Sequence, residues 1–155
     1  MIKPTARQSV AGILVTAAVL VSVAQSEWFS DKATIPVPGD VPTIGFGRTD
    51  GVKIGDTTEP VREMVFLLNN LENKYAAGIR KCIKVPLHQH EFDSYVSLSY
   101  NIGISAFCNS TLIKKLNAED YAGACEQILV WNKFKGKPLR GLTIRRQQEY
   151  DKCLG

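Results

Sequence analysis

Glu27 is the first acidic residue of this 155-residue chain, and it follows a run, Gln8 to Ser26, that carries no charge. Eleven residues further on begins Pro38-Gly-Asp-Val-Pro-Thr-Ile-Gly-Phe-Gly-Arg-Thr-Asp-Gly51, with Thr43 near its centre. An isolated carboxyl at the end of an uncharged, membrane-length run and ahead of a Gly-rich hairpin suggests a lytic enzyme whose activity is tied to membrane position. Its candidate residues can be ranked for one lytic reaction, glycoside hydrolysis. That reaction needs one protonated acid at the leaving oxygen and, on an inverting route, a base or polar anchor that orients water on the opposite face. Asp40, three residues before Thr43, supplies that carboxylate if the Pro38-Gly39 turn bends it inward. Asp31 is a second candidate, one helical turn beyond Glu27 on the acid's own side. A third reading has no second carboxylate and leaves Thr43 to hold the water. Glu27 would need a cleft between hairpin and helices to keep its proton near neutral pH. The plain alternatives are a charge that merely stops an apolar segment and a threonine that merely favours a strand.

The elements that position these residues begin with the uncharged run. With Lys3 and Arg7 before it, the run is long enough to span a bilayer as a helix. Its Ala, Gly, Ser and Thr content makes insertion marginal, and Ser22-Val-Ala24 offers the small residues of a cleaved signal peptide as an alternative. Cys82, Cys108, Cys125 and Cys153 all lie beyond it, none in a Cys-x-x-Cys or zinc-ligand spacing, which favours two disulfides in an oxidising compartment. Three pairings are open. Packing of neighbouring helices leans towards Cys82 with Cys108 and Cys125 with Cys153. His88 and His90, two apart, make a poor metal site, so no metal or cofactor is expected.

One domain fits the length. The net charge of +4 is mild, with a local basic group at Lys133, Lys135, Lys137, Arg140, Arg145 and Arg146. It reads as a solvated face or as a contact for an anionic polymer or lipid surface. No recognition motif or aromatic-basic alternation accompanies it, which argues against nucleic acid. Prolines and glycines between Thr34 and Lys53 predict short strands and tight turns. A long helix is predicted from about Glu59 to Cys82, a second from His88 to Asn101 with Gly103 as its cap, and short helices capped by Asn109-Ser110 and Asn117 to Asp120. Gly136-Lys-Pro138 breaks the chain before a last helix capped by Thr143. The result is an α+β pattern: a small hairpin lobe, a mainly helical lobe and a long connecting helix, with a cleft beside the hairpin.

Glu27, Thr43-Ile-Gly-Phe-Gly47, Tyr100-Asn-Ile-Gly103, Phe107-x-Asn-Ser-Thr-Leu112, Lys115-Leu-Asn117, Trp131 and Gly136-Lys-x-Leu-x-Gly-Leu-x-x-Arg-Arg146 occur in one ordered series. Together they resemble the phage-type lysozymes of the T4 and lambdoid endolysin family, glycoside hydrolase family 24, and the N-terminal run resembles the signal-anchor-release elements of a subset. The resemblance implies a lysozyme-like fold and a muramidase that cuts the β-1,4 bond between N-acetylmuramic acid and N-acetylglucosamine in peptidoglycan. It implies Glu27 and Thr43 as catalytic residues, to which the ranking above adds Asp40 for the second carboxylate, and Gly45, Gly47 and Asn101 as substrate-binding residues. It further implies residues 1–26 as a releasable anchor on a catalytic domain of residues 27–155, held in the inner membrane through residues 8–26 and then freed into the periplasm of a Gram-negative host. A monomer dependent on a holin is expected. The chain departs from the family's spacing of Glu, eight residues, Asp or Cys, five residues, Thr: Thr43 lies sixteen residues after Glu27, one too many, and Val37 stands where the Asp would be. Arg48 replaces the family's His and is expected to bridge carboxylates. Two rival readings are a membrane-anchored binding module without catalysis and a secreted lysozyme with a cleaved signal.

Overall fold

Apolar residues at helical spacing and Pro60 in the first turn start a helix that runs unbroken to Arg80 in the structure, a computed structural model that describes residues 5–155. Lys3 lies outside the described residues. Of this connector, α2 is Pro60–Asn70 and α3 is Ala77–Arg80, with a π-helical stretch, Leu71–Ala76, between them. The wider turn places Leu71 and Ala76 in the core while Glu72 and Tyr75 reach neighbouring elements.

The centre of the helical lobe is α4, Gln89–Ile102. His88 and Glu91 form its capping box and Gly103, at φ +92°, ends it. Every residue from Glu91 to Ser99 is buried, so α4 is enclosed on all sides rather than amphipathic. Around it lie α5 (Ile104–Cys108), α6 (Thr111–Asn117), α7 (Tyr121–Glu126) and α8 (Arg140–Leu154), with Ser110 and Asp120 capping α6 and α7 as predicted. Phe92, Tyr95, Leu98, Phe107, Leu116 and Ile128 fill the interior. The disulfides are Cys82–Cys108, tying the connector to α5, and Cys125–Cys153, tying α7 to α8.

Three predicted details are corrected. The hairpin pairs β1, Ser30–Thr34, with β2, Thr43–Gly45, so it starts earlier than expected and the prolines fall in its loop, where their missing N–H groups do no harm. Asp31 therefore lies on a strand, exposed, and not one helical turn beyond the acid. Thr143 does not cap α8, which begins at Arg140; its hydroxyl bonds back to the Leu139 carbonyl inside the first turn.

The uncharged run is folded onto the helical lobe. A single turn, Val10–Gly12, and helix α1, Ala17–Ser26, are separated by an extended stretch. The backbone groups left unpaired there find side-chain partners: Arg80 donates to the Ile13 carbonyl, and also to that of Val10 in the turn, Gln89 donates to the Leu14 carbonyl, and Glu72 accepts the Val15 N–H. Thr16 caps α1 and donates to Asp93 at 2.6 Å, Arg7 pairs with Glu91, and Gln8 bridges to Leu87. Val19 and Val23 are buried, contributing about 2 kcal/mol each. No helix among the described residues is long and apolar enough to cross a membrane.

Candidate active site

Because α1 ends at Ser26 and Glu27 is extended, the Glu27 side chain turns away from the helix towards the hairpin and α8. Its Oε1 accepts a hydrogen bond from Arg145 Nη1 at 3.1 Å, and its side chain is 26% exposed. Its Oε2 faces the Gly47 turn, 3.7 Å from where a Cβ on that residue would stand. Gly47 has φ +85°, a conformation that glycine adopts without strain. One carboxylate oxygen is therefore held and the other looks into the turn.

Both sides of this turn are braced. The Tyr100 hydroxyl donates to the Phe46 carbonyl at 2.8 Å, and its ring packs against Tyr75 at 4.9 Å. Burial, and then the charge of Glu27, push the Tyr100 phenol well above its ordinary value, so it stays a donor. Gly45 leaves room for the buried Glu63 side chain, with which a Cβ would collide. Arg48 grips Glu63 with two hydrogen bonds at 2.9 and 2.8 Å, and Thr58 adds a third at 2.7 Å. The Arg48 guanidinium holds the Glu63 carboxyl below the usual carboxylate range against the opposing effect of burial.

Behind Glu27 a charged network runs into the core. Arg145 Nε also meets Glu149 at 3.3 Å, Glu149 pairs with the fully buried Arg146 at 2.7 Å, and Ser97 donates to Glu149 at 2.6 Å. Arg146 Nη1 donates to Asn101 Oδ1 at 2.9 Å. Burial pulls the Arg146 guanidinium below its ordinary value, and Glu149 opposes that shift. Glu27, Asn101 and Arg145 line one groove of about 790 Å³ together with Trp28, Leu139 and Arg140.

Residues 24–149 match the phage lysozyme family. The chain belongs to that family. It is 43% identical over 111 residues to an endolysin of Acyrthosiphon pisum secondary endosymbiont phage 1, covering 69% of this chain and 75% of the relative. It is 35% identical over 112 residues to a SAR-endolysin of Bacteriophage PS119, covering 72% and 67%. Among solved structures, a mutant of the P22 lysozyme superposes with a TM-score of 0.81 at 30% identity, covering 92% of this chain and 99% of the other. This phage lysozyme is thus a glycoside hydrolase of the lysozyme type, an endolysin that acts on peptidoglycan.

Within the phage lysozyme the predicted residues do not all converge. Gly45 and Gly47 shape the turn, and Asn101 reaches the groove while bonded to Arg146. Thr43 Oγ1 donates to the Val41 carbonyl at 3.2 Å. Asp40 is exposed in the β1–β2 loop, its Oδ1 accepting the Val41 N–H. Sequence reasoning missed Glu63, Tyr100 as a brace, Glu149 and the pairing of Arg145. Arg145 and Arg146 had appeared as members of a basic group and of the last motif, without partners; they share Glu149, and beyond it Arg145 reaches Glu27 while Arg146 reaches Asn101.

Proposed function

We propose that Glu27 is the general acid of this phage lysozyme, delivering its proton from Oε2 to the glycosidic oxygen while Arg145 fixes Oε1. The observation that carries this is the bound and oriented carboxyl, with one oxygen on Arg145 and the other towards the Gly47 turn. On the hairpin, Thr43 holds the attacking water and Asp40 receives its proton, with the β1–β2 loop bringing Asp40 over the bound sugar. Gly45, Gly47 and Asn101 seat the glycan chain. Purified protein acting on peptidoglycan should release fragments with new reducing ends, and Thr43→Ala and Asp40→Asn should each lower turnover strongly with little change in thermal stability. An Asp40→Asn rate equal to wild type would remove Asp40 from the mechanism, and absence of any new reducing end would favour a binding module without catalysis.

The route to the wall is proposed to be a signal anchor. Residues 8–26 first lie in the inner membrane, a holin-triggered collapse of the membrane potential frees them, and the chain then works in the periplasm as a monomer. The length of the uncharged run and the relatives named SAR-endolysins support this. Release intact is favoured over cleavage after Ala24, because cleavage would remove the buried Val19 and Val23 and the caps that seat α1. Replacing Gly12, Thr16 and Ser22 by Leu should hold the chain in the membrane and prevent lysis. If fractionation shows that variant in the membrane while cells lyse at the wild-type rate, tethering does not control activity.

A further inference from the structure

Trp28 is 95% exposed, the most exposed large apolar side chain in the described protein, yet its neighbours on both sides are fixed. Glu27 is held by Arg145, and Phe29 packs on Phe46 with ring centroids 5.2 Å apart. In extended backbone successive side chains alternate, so anchoring Glu27 and Phe29 on the protein throws the indole between them outward. Its place is set by the fold rather than by any contact of its own.

Two hollows meet at this indole. The groove along α8 and a second hollow of about 320 Å³ formed by Gln25 to Phe29 share Ser26, Glu27 and Trp28. A chain laid through both must pass the indole next to the acid. The groove beside it mixes apolar Leu139 and Ile144 with hydrogen-bonding Arg140 and Gln148. A pyranose ring has the same character, with C–H groups on its faces and hydroxyl and N-acetyl groups on its rim. A bilayer would instead need an apolar surface without the Glu27–Arg145 ion pair at its centre.

We propose that Trp28 is a sugar platform, stacking its indole on the face of a saccharide ring adjacent to the bond that is cut; this rests on the reading of Glu27 as the acid. Trp28 acts on binding and not on the proton transfer. Its truncation therefore moves KM rather than kcat.

The chain has two tryptophans, so Trp131→Phe leaves Trp28 as the sole indole. In Glu27→Gln/Trp131→Phe, which should bind without turnover, solubilised peptidoglycan strands should change the Trp28 emission saturably. In the active chain Trp28→Ala should raise KM about tenfold with kcat within about threefold, and Trp28→Tyr should recover most of the loss, as expected for an aromatic contact worth a little over 1 kcal/mol. An unchanged KM in Trp28→Ala overturns the platform, as does emission that responds to anionic phospholipid vesicles and not to glycan. Retained hydrolysis in Glu27→Gln would instead overturn the acid, and the binding titration would still decide the platform.

Discussion

Arg145 Nη1 donates to Glu27 Oε1 at 3.1 Å, linking the last helix to the residue just after the first across 118 positions of sequence. The same guanidinium meets Glu149, which the buried Arg146 and Ser97 also hold. The Glu27 carboxyl is thereby positioned by the core and not only by its own chain. Arg145→Ala should lower kcat by about 10²-fold through misplacement of Glu27, with a smaller change in KM, and Arg145→Lys should restore part of it. A kcat for Arg145→Ala equal to wild type would show that the pair does not position the acid.

The Arg48–Glu63 pair makes the hairpin the acid-sensitive part of the site. Glu63 sits below its ordinary value of 4.5, so its stabilising effect is complete above that value and is lost as pH falls through the lower folded one. Glu63→Ala should cost about 3 kcal/mol at pH 7 and lower Tm by about 10 °C. The gap from wild type should narrow as pH falls below about 4. A gap that stays constant from pH 7 to 3 would mean that ionisation of Glu63 contributes nothing.

Much of the helical lobe was legible because its signals are local. Pro60, Gly103, Ser110 and Asp120 each act within one turn of the chain, and each marks the boundary expected of it. The hairpin was misplaced by several residues, since the pairing of Ser30 with Gly45 depends on a partner strand beyond a proline-rich loop. In the site, Glu27 and the glycines stood out by type and spacing. Glu63 and Glu149 did not, because a buried carboxylate reads in sequence like any solvated one until its arginine is located. Arg48 reaches Glu63 from the hairpin, fifteen residues earlier, whereas Arg146 lies one turn before Glu149 on the same face of α8, where the pair reads like any surface i,i+3 pair until its burial is known.

The two disulfides close spans of 26 and 28 residues, each expected to contribute about 3 to 4 kcal/mol by restricting the unfolded chain. Native, non-reduced protein should show no alkylatable thiol, and reduction should lower Tm by at least about 10 °C. Two reactive thiols in the active protein would contradict the closure of one bridge.

Docking of the N-terminal run depends on Asp93, which accepts from both Thr16 and Gln89. Asp93→Ala leaves the α1 cap and the Gln89 amide without that partner, at a cost of about 1 to 3 kcal/mol. On the signal-anchor proposal, lysis by this variant should be delayed while its release from the membrane, followed by fractionation, keeps the wild-type time course. Lysis on the wild-type schedule would show that seating of α1 does not limit activity.

The most direct test of the account is the rate at which purified Glu27→Gln hydrolyses peptidoglycan, measured as new reducing ends beside the wild-type protein at matched concentration. The amide can still bond to Arg145 through its carbonyl oxygen, so the fold should persist with Tm within a few degrees, yet it has no acidic proton to give to the leaving sugar. A loss of about 10²-fold or more is expected. A folded Glu27→Gln protein that keeps more than about a tenth of the wild-type rate would contradict it.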